Sequence, residues 1–301
     1  MKGYRPLILA VACILMSACG SAPSRSSSRL ASVSATRYPI VLHHGLLGFD
    51  RIFFIDYFYQ VKATLTARGY QVAETHVAPV NTVDFRTRQL KAEIDQILDE
   101  TGAEKVDIIA HSMGGLDVRH LISAYGYGDR IGALVTIGTP HHGTRIADVA
   151  YGVSSEATKL MEAIRYLCLG DGTAALGHGP IDIRGAIGDM TTNYMETRFN
   201  PNNPDDPRVV YESYEGTGSL TGMGSTNYIS PLLALPYAVL KAASGANDGL
   251  VPVASARYGR DRGTIPADHI NEIGQILGRT GRFQYRSFYL HVAQDLAAEG
   301  L

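Results

Sequence analysis

Short apolar runs alternate along the chain with stretches whose apolar residues recur every three or four positions. That alternation separates buried strands from helices with one apolar face. Tyr38-Pro39-Ile40-Val41-Leu42-His43 reads as a buried strand, and residues 70–77 as a second extended segment. Leu90, Ile94, Ile97 and Leu98 then share one helical face, with Asp84 as the expected cap and Gly102 as the stop. Residues 105–110 are apolar enough to be covered on both faces, as central parallel strands are. A helix over 116–125 and a strand over 133–138 follow. This order predicts an α/β fold with a mostly parallel, doubly wound sheet.

From about 144 to 207 the periodicity weakens while Gly, Pro and Asn accumulate. We read that segment as a helical lid or cap insertion. Ile146, Val149, Tyr151, Leu160, Met161, Ile164 and Leu167 are its candidate apolar stripe, for which core packing is the competing reading. Order returns with a strand over 209–214, a helix near 232–242 and a terminal helix over about 283–298.

The N-terminus has a different pattern. Lys2 and Arg5 precede an apolar stretch from residue 6 to 16, well short of the ~20 residues that span a bilayer. Ser17-Ala18-Cys19-Gly20 resembles the lipobox of bacterial lipoproteins, with Met16 where Leu is usual. The expected division is a signal peptide over 1–19, a Ser-rich tether over 20–37 and a folded α/β domain over 38–301. The product would be exported and anchored in a membrane through lipidated Cys19. Gly20 rather than Asp after the cysteine favours the outer membrane. A plain secretory signal, giving a secreted or periplasmic protein, is the alternative. Of the three cysteines, Cys13 and Cys19 fall in this segment, which leaves Cys168 without an internal disulfide partner.

Composition adds two exclusions. Hydrophobic residues are 45% and charged residues 19%, which suits a folded core rather than a disordered chain. A net charge of −2 without a long basic run excludes electrostatic capture of nucleic acid.

Ala110-His111-Ser112-Met113-Gly114-Gly115 stands between a predicted strand and a predicted helix, the setting of a nucleophile elbow. Only small residues fit two places before and after the serine in so sharp a turn, and the helix N-terminus favours developing negative charge. Ser112 is therefore the candidate nucleophile. A serine nucleophile needs a base, and the base an orienting acid, in the chain order Ser, acid, His. Asp248, in the tight loop Asn247-Asp248-Gly249-Leu250-Val251-Pro252, is the candidate acid, although an Asp there could also close its own turn. His269 is the candidate base. His178 precedes the acid, and His291 lies inside the terminal helix. The oxyanion requires two backbone donors, for which Met113 and Leu46 are the candidates. Neighbouring His43-His44 and His141-His142 invite a metal reading, but paired histidines in extended chain cannot easily converge on one ion, so no metal is assigned.

These motifs resemble the bacterial true lipases, the Pseudomonas and Burkholderia-type triacylglycerol lipases. The resemblance runs through His44-Gly45-Leu46-Leu47-Gly48-Phe49-Asp50, His111-Ser112-Met113-Gly114-Gly115 and Gly138-Thr139-Pro140-His141-His142-Gly143. It continues through Gly216-Thr217 and Ala246-Asn247-Asp248-Gly249 to His269-Ile270-Asn271-Glu272. It implies an α/β-hydrolase fold, hydrolysis of apolar acyl esters through Ser112, Asp248 and His269, and an apolar lid that opens at a lipid–water interface. Such lipases usually hold a structural calcium partly through two aspartates. Asn271 stands at one of these positions, and no carboxylate stands near Ser225, the region of the other. A hard divalent cation wants charged oxygens, so calcium is expected to bind weakly or not at all, and no cofactor is expected. The disulfide of many relatives is also missing, and residues 140–209 do not align well, which leaves acyl preference open. A short-chain esterase, phospholipase, polyester depolymerase or thioesterase could use the same triad, and a non-catalytic surface lipoprotein could keep the same scaffold. The need for a dedicated folding helper is not legible.

Overall fold

The computed structural model describes residues 35–47, 51–52, 55–152, 179–222 and 227–301. The chain divides into two units, Met1–Ser32 and Val33–Leu301, and the described residues all belong to the second. The signal, Cys19, most of the tether, Ser225, Cys168, His178 and the stripe residues Leu160, Met161, Ile164 and Leu167 lie outside them.

The main elements are β1 (Ile40–His43), α1 (Val61–Thr66), β2 (Val72–Thr75), α2 (Val83–Thr101), β3 (Val106–His111), α3 (Gly114–Ala124) and β4 (Ile131–Ile137). They continue with α4 (Arg145–Gly152), α5 (Ile183–Gly188), β5 (Val210–Gly216), α6 (Ala234–Ser244), β6 (Arg260–Ile265) and α7 (Tyr285–Ala298). Six strands form one parallel sheet in the order β6-β5-β4-β3-β1-β2. This is the parallel, doubly wound α/β sheet that the alternation predicts.

The strands explain themselves by alternation. Ile40 and Leu42 point to one face, with Ile109, Val135 and Ile137, and meet α1 and the Tyr289, Val292 and Leu296 side of α7. Val41, Ile108, Ala110 and Leu134 point to the other face and meet Leu90 and Ile94 of α2 and Val118 and Leu121 of α3. Both faces are covered, as the apolar run over 105–110 requires. Truncating a residue such as Ile109, fully buried in the central strand, would cost about 2–5 kcal/mol.

Helix α2 begins slightly earlier than its pattern suggests. Thr82 is the cap, its hydroxyl accepting from Phe85 N–H at 3.3 Å, while Asp84 sits in the first turn. Gly102 ends the helix at φ 67°, a left-handed position glycine adopts without a Cβ penalty, and its N–H closes on the Leu98 carbonyl. Within the segment read as a cap, α4 and α5 bring apolar residues against the start of α3 and the stretch after β2. Ala147, Ala186, Ile187, Met190, Met195 and Phe199 form a third apolar cluster there with Val80, Met113 and Leu116. Ile146 is half-buried, and Val149 and Tyr151 are exposed.

Candidate active site

Strand β3 ends at His111 and α3 starts at Gly114, so Ser112 stands in the turn between them with φ 56°. Its N–H donates to the Ile137 carbonyl at 2.9 Å, and its carbonyl accepts from Gly115 N–H and from Thr139 Oγ1. The small neighbours are required. A Cβ on Gly114 would lie 2.7 Å from the His44 carbonyl oxygen, and one on Gly115 would collide with Thr139.

His269 Nε2 lies 2.9 Å from Ser112 Oγ, and His269 Nδ1 lies 2.7 Å from Asp248 Oδ2. The second oxygen of Asp248 accepts from Leu250 N–H and Val251 N–H, both at 2.7 Å. Those bonds fix the carboxylate and leave Oδ2 facing the imidazole. His269 N–H in turn donates to the Asp248 carbonyl at 2.9 Å, which ties the two loops together. All three side chains are buried, with Ser112 the most accessible at 7%. The fold thus brings Ser112, Asp248 and His269 into one hydrogen-bonded line. His111 packs beside it, with the ring centroids of His111 and His269 4.5 Å apart. His291 is on α7, 3.5 Å from Asp295.

Leu46 and Met113 also converge. An ideal Cβ on Gly45 would sit 2.6 Å from Ser112 Cβ and 3.2 Å from Met113 N, so only glycine lets this loop approach the elbow. Among the described residues, neither the Leu46 nor the Met113 N–H has a hydrogen-bond partner. Two open donors beside a nucleophile can receive a developing oxyanion.

The paired histidines serve other purposes. His43 Nδ1 meets Thr75 Oγ1 at 2.7 Å and Nε2 meets Asp117 at 3.0 Å, inside a buried cluster in which Arg86 Nε also donates to Asp117 at 2.8 Å. His44 Nδ1 donates to the Gly45 carbonyl at 2.9 Å, and burial holds its pKa well below the ordinary value. His141 stacks on Tyr258 with ring centroids 4.2 Å apart.

Three buried neighbours of this line were not singled out by the sequence pattern. Glu272 is fully buried, with Oε2 2.8 Å from His111 Nε2 and 3.7 Å from His269 Nδ1. Burial, reinforced by the charges of Asp248 and Asp268, pushes its pKa well above the ordinary carboxylate range. Its carboxyl fits between Gly138 and Gly216, where any Cβ would collide with it. His111 is held well below its ordinary pKa by burial and by His269. Its other nitrogen, Nδ1, meets Tyr57 Oη at 2.7 Å. Glu272 stands three residues after the base inside a quoted motif, and that spacing was the available clue. Among the described residues, only His111, His269 and Glu272 gather ligand atoms as a metal site would, within 4.8 Å; His111 and Glu272 are already bonded to each other, and His269 to Ser112 and Asp248.

The α/β hydrolase fold family matches residues 38–158. The chain is 30% identical over 269 residues to a Vibrio cholerae triacylglycerol lipase, covering 83% of each protein. It is 29% identical over 297 residues to a Burkholderia plantarii triacylglycerol lipase, covering 82% of each. Among solved structures, Staphylococcus hyicus lipase superimposes with a TM-score of 0.67 at 17% identity, over 87% of this chain and 96% of that one. A Bacillus licheniformis lipase in mature form gives 0.64 at 22% identity, over 86% and 92%. The two superpositions speak to fold.

Proposed function

The chain belongs to the bacterial triacylglycerol lipase family of the α/β-hydrolase superfamily, and from that premise we propose that it hydrolyses carboxylic esters of apolar acyl chains with Ser112 as nucleophile. The observation that carries this reading is the line Ser112–His269–Asp248, at 2.9 and 2.7 Å, beside two open N–H donors.

His269 Nε2 takes the Ser112 hydroxyl proton as Oγ attacks the ester carbon. The carbonyl electron pair moves onto oxygen, which the N–H groups of Leu46 and Met113 receive. His269 then gives its proton to the departing alkoxide, leaving an acyl-serine. Water repeats the sequence and frees the acid. Asp248 stabilises the transient imidazolium and keeps Nδ1 protonated.

An apolar substrate is supported by the surroundings. Leu46 and Met113 place their side chains in or against the cap cluster. Leu232 and Leu235 are 76% and 77% exposed at the start of α6, and Val149 is exposed on α4, the helix that contacts α6. Exposed apolar side chains grouped near a site suit contact with a lipid–water interface.

Calcium does not fit the residues present. Asn271 Nδ2 donates to the Gln275 carbonyl, and its Oδ1 accepts from Asn227 Nδ2. Asn227 also donates to the Thr280 carbonyl at 2.6 Å, and both Asp268 oxygens accept backbone N–H groups. Neutral amides join these loops where a cation would need carboxylates. We infer a lipase-like enzyme that works without structural calcium.

Export and anchoring through lipidated Cys19, followed by a tether to about residue 37, are part of the same proposal and rest on the sequence pattern. Among the described residues, no helix is long and apolar enough to cross a membrane. The decisive test is labelling with a fluorophosphonate probe. Wild type should label and Ser112→Ala should not; an unlabelled folded wild type would overturn the catalytic reading. Radiolabelled palmitate incorporation, lost in Cys19→Ser, tests the anchor.

A further inference from the structure

We propose that Tyr57 is a positioning residue for the oxyanion loop, held by a relay of His111 and Glu272 that starts beside the catalytic base. The proposal rests on the hydrolase reading above.

The loop can be followed peptide by peptide. The His44–Gly45 peptide is gripped at both ends. Arg86 Nη2 donates to the His44 carbonyl at 2.7 Å, and Gly45 N–H donates to Tyr57 Oη at 3.2 Å. In the following peptide, the Gly45 carbonyl accepts from His44 Nδ1 at 2.9 Å. A trans peptide is planar, so its N–H points opposite its carbonyl. Holding the Gly45 carbonyl therefore aims the Leu46 N–H. Tyr57 secures the peptide immediately before that donor, and nothing else among the described residues accepts the Gly45 N–H.

The Tyr57 oxygen is itself fixed from the far side. His111 Nδ1 lies 2.7 Å away, and His111 Nε2 lies 2.8 Å from Glu272 Oε2. Among the described residues, the other oxygen, Oε1, has no hydrogen-bond partner. Burial favours the neutral acid at Glu272 and the neutral ring at His111. The acid proton then has one good acceptor, His111 Nε2, which leaves Nδ1–H to donate to Tyr57. Each bond of the relay is satisfied without a net charge.

Two segments meet at the Tyr57 hydroxyl, and a third is joined to them through His111. His111 immediately precedes the nucleophile, and Glu272 follows the base by three residues. Gly45 precedes the donor. A shift at Gly45 or at His111 reaches the other through this oxygen, and a misplacement of about 1 Å at a reacting group can cost ~100-fold in rate. The Tyr57 ring is held separately, 5.2 Å from Phe58 and 5.6 Å from His44 between centroids. Removing the hydroxyl should leave the ring in place.

The test is Tyr57→Phe, assayed on dissolved p-nitrophenyl butyrate. We expect kcat to fall about tenfold with KM within about twofold of wild type. The affinity of a boronic acid that forms a tetrahedral adduct on Ser112 should weaken by the same factor. Glu272→Leu should reproduce the loss, and Glu272→Gln, whose amide can donate to His111 Nε2, should recover most of it. The double variant Tyr57→Phe/Glu272→Leu should be no worse than either single one, because both act through the same bond. A Tyr57→Phe enzyme with kcat and boronate affinity within about twofold of wild type would overturn the proposal. So would fully additive losses in the double variant. Failure of the hydrolase reading would show earlier and separately, as a wild-type protein that no fluorophosphonate labels.

Discussion

The Glu272 carboxyl approaches His111 Nε2 to 2.8 Å but stays 3.7 Å from the Nδ1 of His269, whose bond to Asp248 is 2.7 Å long. Two buried acids thus flank one imidazole with different partners. Asp248 keeps His269, the proposed base, and Glu272 belongs to the neighbouring His111.

Asp248→Asn should therefore lower kcat by about 10³–10⁴-fold, since an amide favours the wrong imidazole tautomer and removes the compensating charge. Steady-state kinetics on a soluble ester would check this. A loss below tenfold would remove Asp248 from the role of orienting acid.

Gly216→Ala should destabilise the fold. Its Cβ would collide with the Glu272 carboxyl and come within 2.9 Å of Asp248 Cβ, so the strand end and the site must shift together. The cost expected for such overpacking is about 1–3 kcal/mol, read from denaturant midpoints.

Asp107 offers a pH test away from the site. Burial, partly offset by the Ala133 N–H and Lys105, raises its pKa from 3.8 to about 7. Between those values the folded chain keeps a proton that the unfolded chain has released. Stability is therefore lost as pH rises through that window. Asp107→Asn removes the titration, so the melting temperature of the variant minus that of wild type should grow from pH 4 to pH 7. A flat difference across that range would show that Asp107 ionises normally.

A chelator should leave the melting temperature within about 1 °C of the untreated protein, because amides of Asn227 and Asn271 join the loops after the base. A marked drop with EDTA, reversed by calcium, would mean that the site accepts the ion after all.

Leu235→Glu should reduce activity on emulsified long-chain ester several-fold and leave dissolved short-chain ester untouched, since the side chain is 77% exposed on α6. Equal rates of wild type on the two substrate forms would favour an esterase over a lipase.

Much of the sheet was legible because its strands are apolar on both faces and its helices on one. Ser112, Asp248 and His269 were legible because glycines and short turns mark sharp loops at strand ends. The start of α2 was less so: Thr82 and Asp84 are both good caps, and only the hydroxyl's reach to Phe85 N–H decides between them. Glu272 was illegible as a buried acid because its cradle comes from Gly138 and Gly216, on two strands far apart in sequence. Tyr57 belongs to no periodic segment, and its partners Gly45 and His111, with Glu272 behind His111, come from separate parts of the chain.

The backbone at Ser112 has a further consequence. At φ 56° a side-chain-bearing residue is held where it would cost about 1–3 kcal/mol to stay, and the surrounding sheet offsets that cost. Ser112, as the proposed nucleophile, is thus a place where durability has been exchanged for reactivity. Replacing it with glycine, which occupies that region freely, should give a protein that cannot turn over yet melts at a higher temperature than the enzyme it came from.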